Sequence, residues 1–268
     1  MSKTKTPATA QAPEKYSAPA LSKGLDILEL LATRKDGLRK SEIASALDRS
    51  VSEIFRMLAV LVDRGYVLFD PAGEKYLLSL RLFELAHQHP PVKRLTTVAA
   101  EPMARLADRL NQSAHLGILS GNEVLVIAQN DPPGNNITSV RLGARLPAAI
   151  TATGAALISH LSATEISRFC SQLKDATPEQ IKTFRENVEQ IKQDGGCVSP
   201  SMVIAGVQNI SAPITDYSGK VAAALTVPYI QRQISTDDPD AETTKHALMA
   251  ATKEISVQLG ANAADPAS

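Results

Sequence analysis

Apolar positions recur with a helical period in a stretch near the N-terminus, Ser41–Arg64. Its second part carries apolar side chains at i, i+3, i+4 and i+7, the stripe by which a helix packs on a core. These positions are Val51, Ile54, Phe55, Leu58, Leu61 and Val62. Ser52, Glu53 and Arg56 share the opposite face. Two helices joined by a tight turn, the second with an Arg-bearing face, are typical of helix-turn-helix DNA binding, although any helical hairpin has a solvated face.

The elements on either side of this stretch favour the DNA-binding interpretation. A helical pattern at Leu21–Thr33 precedes it, and Gly37 fits the left-handed position after a helix end. Two β-patterned runs, Tyr66–Phe69 and Glu74–Leu78, flank a turn with Pro and Gly at Asp70–Gly73, which predicts a hairpin. Three helices followed by a hairpin predict a winged helix, in which the hairpin tip touches DNA beside the recognition helix.

The pattern changes after a proline pair, Pro90-Pro91, which predicts an interruption between a helix at Leu80–His87 and a long helix from Val92. Beyond this boundary the pattern is α+β. Strands are predicted at Ala114–Leu119, Val124–Ala128, Ile137–Leu142, Val207–Ile214 and Val221–Val227, and helices at Thr151–Leu161, Thr164–Leu173, Pro178–Gln193 and Pro239–Leu259. The predicted organisation is a flexible arm (1–19), a winged helix-turn-helix domain (20–81), a linker (82–93), an effector-binding and oligomerisation domain (94–260) and a flexible tail (261–268).

Composition limits the classes of protein that this chain can represent. Lys and Arg total 28, as do Asp and Glu, so any attraction to nucleic acid must come from a local basic surface. No apolar run is long enough to span a bilayer, and the N-terminus lacks the apolar segment of a secretory signal. The two cysteines are too few for a disulfide framework, so we expect a cytoplasmic protein with no membrane partner.

The sequence contains little that predicts catalysis. It has neither a Gly-x-Ser-x-Gly elbow nor a phosphate-binding Gly-rich loop. His115, His160 and His246 stand alone, and Cys197 has no base near it in the sequence, although a Cys beside two glycines is conceivable as a nucleophile. We therefore predict that the chain is not an enzyme and needs neither a metal nor a cofactor.

Several segments in register resemble the IclR family of bacterial transcriptional regulators. In the first half these are Leu21–Leu28, Glu42–Ala44, Arg56–Leu61, Arg64–Val67 and Tyr76–Leu82; in the second half they are Arg145–Pro147, Thr151–Gly154, Gly206–Ile214 and Ala222–Val227. The resemblance implies a winged helix-turn-helix joined to a GAF-like α+β effector-binding domain. It further implies double-stranded operator DNA, a homodimer or dimer of dimers, and a small organic or aromatic acid as effector.

The polar face of the second helix and the basic positions near the hairpin supply the candidate DNA contacts. Ser52 and Arg56 are expected to read bases or phosphates, and Glu53 could accept from cytosine. The full set is Arg39, Lys40, Arg49, Ser50, Ser52, Glu53, Arg56 and Lys75. Where the family usually has Gly-Leu-Pro in the turn, this chain has Asp48-Arg49-Ser50, and Asp tolerates the left-handed backbone that the turn needs.

Thr151–Gly154 lies just before a predicted helix, where small residues and exposed amides would suit a carboxylate; an ordinary capped helix is the alternative. With the positions that the resemblance adds, the expected effector-binding residues are Leu146, Ala152, Thr153, Gly154, Ser199, Val207, Asn209 and Thr226. The polar end of this site is expected to be neutral. A second function stays open: a metabolite-binding or enzymatic GAF-like domain whose helical module makes protein contacts.

Overall fold

The computed structural model describes residues 18–88, 90–133, 137–173, 175–232 and 238–261. Apart from residues 18, 19 and 261, the predicted N-terminal arm and C-terminal tail lie outside these residues. The chain divides into two compact units, residues 1–89 and 90–268. The segment 82–93, predicted as a linker, is helical up to Gln88 and again from Pro90. Proline is tolerated in the first turn of a helix because that turn has no partner for its N–H groups.

The N-terminal unit is a winged helix-turn-helix, as the pattern predicts. Its helices are α1 (Pro19–Ala32), α2 (Lys40–Ala46), α3 (Val51–Asp63) and α4 (Arg81–Gln88), and its strands are β1 (Leu38–Arg39), β2 (Val67–Asp70) and β3 (Lys75–Leu78). The strands form an antiparallel sheet in the order β1-β3-β2. Asp48, in the turn between α2 and α3, has φ 50°, which confirms the left-handed backbone expected there.

The apolar stripe predicted on α3 is only partly buried. Ile54 and Leu58 are fully buried in the core with α1 and α2. Phe55 and Val51 are 51% and 44% exposed, so the prediction that they pack in the core is wrong. Successive residues of a helix point about 100° apart around its axis. The side that carries Ile54 and Leu58 packs on α1 and α2, and Phe55, one residue further on, therefore points away from that contact.

The C-terminal unit is an α+β domain built on one six-stranded antiparallel sheet. Its strands are β4 (Ala114–Ser120), β5 (Glu123–Asn130), β6 (Arg145–Pro147), β7 (Cys197–Pro200), β8 (Val207–Thr215) and β9 (Val221–Ile230), and their order is β6-β5-β4-β9-β8-β7. Its helices are α5 (Pro90–Leu110), α6 (Ala152–Ile158), α7 (Ala163–Ser171), α8 (Pro178–Asp194) and α9 (Ala241–Gln258), with a 3-10 turn at Ala148–Ile150.

The two faces of this sheet pack against different helices. Residues such as Leu116 and Leu225 form one core with α5 and α9, and Val124, Ala224 and Cys197 form the other with α6, α7 and α8. Successive residues of a strand point to opposite faces, so His115 and Gly117 lie on the α6 face, where Leu116 does not.

Two parts of the predicted sheet differ from the structure. Residues 137–142 are not a strand. The turn at Gly143, whose φ is +79°, leads instead into β6, and the backbone groups of Val126 bond to Gly143 and Ala144 at 2.8 and 3.0 Å. The sequence prediction missed β7, which has only four residues. Two of them, Ser199 and Pro200, are not typical of strands.

Gly154, in the first turn of α6, lies directly against the 3-10 turn. A Cβ at this position would overlap the backbone of Ala148, although the backbone φ of Gly154 is not in the left-handed region. Glycine is therefore required here by close packing rather than by backbone conformation.

We predict that Gly154→Ala lowers the free energy of unfolding by about 1–3 kcal/mol, because α6 must move away from Ala148. The matched control is Gly24→Ala, also in a helix, where a Cβ meets nothing within 4 Å. We expect the control to be neutral or to stabilise by about 0.4–1 kcal/mol. Calorimetric unfolding of the full chain measures both, and equal midpoints for Gly154→Ala and the unsubstituted chain would contradict the packing argument.

Candidate functional sites

The start of α3 is fixed by a capping box. The Ser50 hydroxyl accepts from the N–H of Glu53 at 3.3 Å, and the Ser50 N–H donates to the Glu53 carboxylate at 3.3 Å. Lys23 of α1 donates to the other carboxylate oxygen of Glu53 at 2.7 Å. The hydrogen bonds from Lys23 and Ser50 lower the pKa of Glu53 to about 2. The carboxylate therefore ties the first turn of α3 to α1, and its oxygens are occupied within the protein.

Three of the predicted DNA-contact residues, Arg49, Ser52 and Arg56, are exposed around this capped helix start. Helix-turn-helix proteins place the N-terminal residues of the second helix against base edges in the major groove. The exposed Phe55 lies beside them, and the Lys40 ammonium stands 5.0 Å above its ring centre. Lys40 therefore adds a positive charge to the α3 surface.

The remaining predicted DNA contacts lie on the small sheet. Arg39 of β1 and Lys75 of β3 are direct neighbours in the antiparallel pairing. The Arg39 Nε donates to the carbonyl of Gly73, in the hairpin turn, at 3.5 Å. The Asp70 carboxylate accepts from the N–H groups of Ala72 and Gly73, which fixes the turn. Two cations thus lie beside the hairpin turn, at the tip of the wing.

A cavity opens on the α6 face of the large sheet, between the start of α6 and two loops. Its space measures ≈ 90 Å³, several times the roughly 10–15 Å³ that one ordered water needs. Its polar lining consists of His115, Thr138, Ser139, Thr151, Thr153, Ser201 and Asn209, and its apolar lining of Val140, Leu146, Ile150, Val203, Ile204, Val207 and Pro228. No charged side chain belongs to this lining among the described residues, which fits the neutral polar end expected from the sequence.

The structure brings four of the predicted effector-binding residues to this cavity: Leu146, Thr153, Val207 and Asn209. The other four lie outside its lining. Ala152 and Gly154 are buried in α6. The N–H of Gly154 donates to the hydroxyl of Thr151, the N-cap of this helix, at 3.0 Å and so already has a partner within the protein. The Ser199 hydroxyl accepts from Asn187 of α8 at 3.0 Å, and Thr226 lies beneath Thr153.

A row of buried polar side chains crosses the sheet at the inner end of the cavity. His115, Thr226 and Ser211 occupy directly opposed positions on β4, β9 and β8. The Ser211 and Thr226 hydroxyls are 2.7 Å apart. Thr153 of α6 lies on this row, with its hydroxyl 2.8 Å from that of Thr226 and 3.4 Å from Nε2 of His115. The helix is therefore joined to the sheet through hydroxyl groups at this place.

Gly117, two residues beyond His115 on the same face of β4, leaves room for this contact. A Cβ on Gly117 would approach the Thr153 methyl group to 2.9 Å, closer than side-chain carbon atoms come to each other. The small residue allows Thr153 to reach the polar row.

His115 is one of the lining residues that sequence reasoning missed, since an isolated histidine is usually structural. It is 3% exposed, and burial lowers its pKa to about 4. The signal available in the sequence was a histidine two residues before a glycine in a strand that is otherwise apolar. The two loops, Thr138–Val140 and Ser201–Ile204, were missed as well. Residues 138–140 were predicted as part of a strand, and residues 201–204 carry no periodic pattern.

Nothing in the described part of the chain points to a catalytic or metal centre. Burial raises the pKa of the Cys197 thiol to about 12, so it stays protonated and is a poor nucleophile. Within the described ranges, no three His, Cys, Asp or Glu side chains are placed to hold a metal ion. None of the helices in those ranges is long and apolar enough to cross a bilayer.

The buried, neutral His115 should make folding stability depend on pH. In the unfolded chain it takes up a proton as the pH falls through about 6.5, whereas in the folded chain it stays neutral down to about 4. The unfolded state binds more protons in this window, so the free energy of unfolding should fall by about 3 kcal/mol between pH 6.5 and 4. Denaturant titrations of the unsubstituted chain and of His115→Gln measure this. The variant should lose less stability over that window, and parallel profiles would contradict a neutral buried His115.

Comparison with known proteins identifies both units. Residues 20–71 match the IclR helix-turn-helix domain, and residues 91–257 match the C-terminal domain of bacterial IclR transcriptional regulators. Among curated relatives, the Pca regulon regulatory protein of Pseudomonas putida is 26% identical over 246 residues, which cover 90% of this chain and 84% of that protein. The regulator XynR of Escherichia coli K12 is 26% identical over 90% of this chain and 97% of its own length.

Solved structures show the same architecture. The IclR protein of Thermotoga maritima superposes with a TM-score of 0.74 at 23% identity, covering 90% of this chain and 98% of that one. An IclR homologue from Microbacterium hydrocarbonoxydans, solved in complex with 4-hydroxybenzoate, superposes with a TM-score of 0.72 at 24% identity over 90% and 98% of the two chains. With one family domain matched in each unit and in the same order as in these regulators, the chain belongs to the IclR family of bacterial transcriptional regulators.

Proposed function

We propose that the chain reads a palindromic operator as a homodimer or dimer of dimers, in the cytoplasm, and that a small organic or aromatic acid in the cavity changes its affinity for that operator. The observation that carries the proposal is the pairing of an exposed, capped α3 in one unit with a cavity of ≈ 90 Å³ without charged lining residues in the other. The family assignment favours this function over an enzyme or a storage domain. The buried, protonated Cys197 gives the enzymatic alternative no nucleophile.

For DNA, Ser52 and Arg56 are the proposed base or phosphate readers, because they occupy the exposed face at the start of α3. The cations Arg39, Lys40, Arg49 and Lys75 are proposed to contact the phosphate backbone, which sets position and salt dependence more than sequence. Ser50 and Glu53 act in this proposal by holding the helix start, since their polar atoms already bond to each other and to Lys23. Glu53 is therefore a positioning residue rather than a reader of cytosine.

For the effector, Leu146, Thr153, Val207 and Asn209 are proposed to touch the ligand directly. Ala152, Gly154, Ser199 and Thr226 act by shaping the wall behind them. The Microbacterium hydrocarbonoxydans homologue with bound 4-hydroxybenzoate supports an aromatic acid as the class of ligand. The surface of the cavity is mainly apolar with a few hydroxyl, amide and imidazole groups, which suits a small ring or chain that carries polar groups at its ends.

We predict that Arg56→Ala weakens binding to the DNA upstream of the chain's own gene by about 1–3 kcal/mol, the value of a bidentate base contact. If Arg56 contacts a phosphate instead, binding weakens on all sequences and the slope of log affinity against log salt falls by about one. Fluorescence anisotropy at several salt concentrations measures both quantities.

Arg64→Ala is the matched control, because it removes the same exposed charge from the other end of the α3 region. It should change affinity by less than Arg56→Ala does. Absence of any salt-sensitive, sequence-specific binding by the unsubstituted chain would contradict the proposed function.

A further inference from the structure

The inner wall of the cavity contains one buried polar atom that the protein leaves without a partner. His115 lines the cavity and is 3% exposed, and its Nδ1 has no hydrogen-bond partner among the described residues. Its other ring nitrogen, Nε2, lies 3.4 Å from the Thr153 hydroxyl. A buried nitrogen without a partner destabilises the protein unless something in the cavity bonds to it.

The proton of the Ser211 hydroxyl sets the direction of the hydrogen bonds behind His115. The contact of this hydroxyl with the Leu225 carbonyl is long, at 3.4 Å, but a carbonyl can only accept, so we assign the Ser211 proton to it. A hydroxyl has one proton, so in the 2.7 Å contact between Ser211 and Thr226 it is Thr226 that donates. By the same argument, Thr153 donates to Thr226 across 2.8 Å.

The Thr153 hydroxyl then has only a lone pair left for His115. Its contact with Nε2 is a hydrogen bond only when Nε2 carries the proton and donates. In the neutral ring the proton can occupy one nitrogen only, so Nδ1 is left as a bare acceptor. The chain of four contacts therefore ends, on the cavity side, in an atom that needs a donor.

We infer that Nδ1 of His115 accepts a hydrogen bond from a hydroxyl group of the effector, so that the ligand is a hydroxylated acid, with its hydroxyl at the sheet and its carboxylate toward the loops. This inference rests on the proposed effector function and names the group that the site selects. An ionised carboxylate at Nδ1 would place two acceptors against each other. No cation among the described lining residues offsets that repulsion. The partly exposed Thr138 and Ser201 and the exposed Ser139, at the loop side, offer hydroxyl donors for the carboxylate.

The first test needs no ligand. Long-range proton–nitrogen NMR of the full chain at neutral pH distinguishes the two neutral tautomers of each histidine, and His115→Phe assigns the His115 signals by their loss. The expected result is a proton on Nε2. In Ser211→Ala, whose side chain does not line the cavity, the direction of the chain is no longer fixed and both tautomers should appear. A proton on Nδ1 in the unsubstituted chain, or an unchanged tautomer in Ser211→Ala, overturns the inference.

The second test is a calorimetric titration with the three isomeric monohydroxybenzoates, their methoxy analogues and benzoate. At least one hydroxylated acid should bind roughly 10- to 100-fold more tightly than its methoxy analogue and benzoate, because the analogues leave Nδ1 unpaired. His115→Phe, which keeps a ring of similar shape but no acceptor, should remove this preference, and His115→Gln, which restores an acceptor, should recover part of it.

Equal or tighter binding of the analogues, no binding of any hydroxylated acid, or a preference that survives in His115→Phe overturns the inference. Operator binding by the same preparation is measured in parallel by anisotropy. If the unsubstituted chain shows no hydroxyl preference but binds its operator, the ligand assignment alone is refuted, whereas absent operator binding refutes the proposed function.

Discussion

The hydroxyl groups that join α6 to the sheet must each find a hydrogen-bond partner inside the protein, because no bulk water reaches them. Thr153, Thr226 and Ser211 meet this requirement by bonding to one another and to the Leu225 carbonyl. Each such bond contributes only about 1 kcal/mol, but an unpaired member would cost about 1–3 kcal/mol. The row therefore fixes where α6 lies on the sheet. It also fixes the position of Thr153 and His115, the two side chains that face the cavity from it.

The same kind of constraint positions the other candidate site. Glu53 caps its own helix through Ser50 and holds α1 through Lys23, so the start of α3 is tied to the domain core by polar contacts as well as by Ile54 and Leu58. The exposed face of this helix start carries Ser52 and Arg56, the residues that we propose for contacts with DNA. A helix start that is held in place presents its side chains to a groove with little further loss of conformational freedom.

Local sequence chemistry predicted the parts of the fold that local chemistry determines. The turn through Asp48 and the hairpin at Asp70–Gly73 follow from residues that tolerate or favour those conformations, and the structure agrees. Phe55 was assigned to the core because an apolar stripe shows which side of a helix is apolar, not how wide the contact beneath it is.

The cavity could be predicted only in part. Thr153 followed from the small residues at a predicted helix start, and Leu146, Val207 and Asn209 followed from the family register. The role of His115, by contrast, depends on which strands lie side by side. Its partner Thr226 is far away in the chain, and a single sequence does not state the pairing of β4 with β9. The stretch 137–142 has strand-like residues, yet β5 pairs with β6, which follows the turn at Gly143. Residues 138–140 line the cavity instead.

The central claim is that occupation of the cavity in one unit changes DNA affinity in the other. The most direct measurement is a linkage cycle on the full chain: the operator dissociation constant with and without a saturating hydroxylated acid, and the acid's dissociation constant with and without operator. We predict that the two ratios are equal and differ from one, since coupling between two binding sites is reciprocal. An acid that binds the cavity and leaves operator affinity unchanged would contradict it.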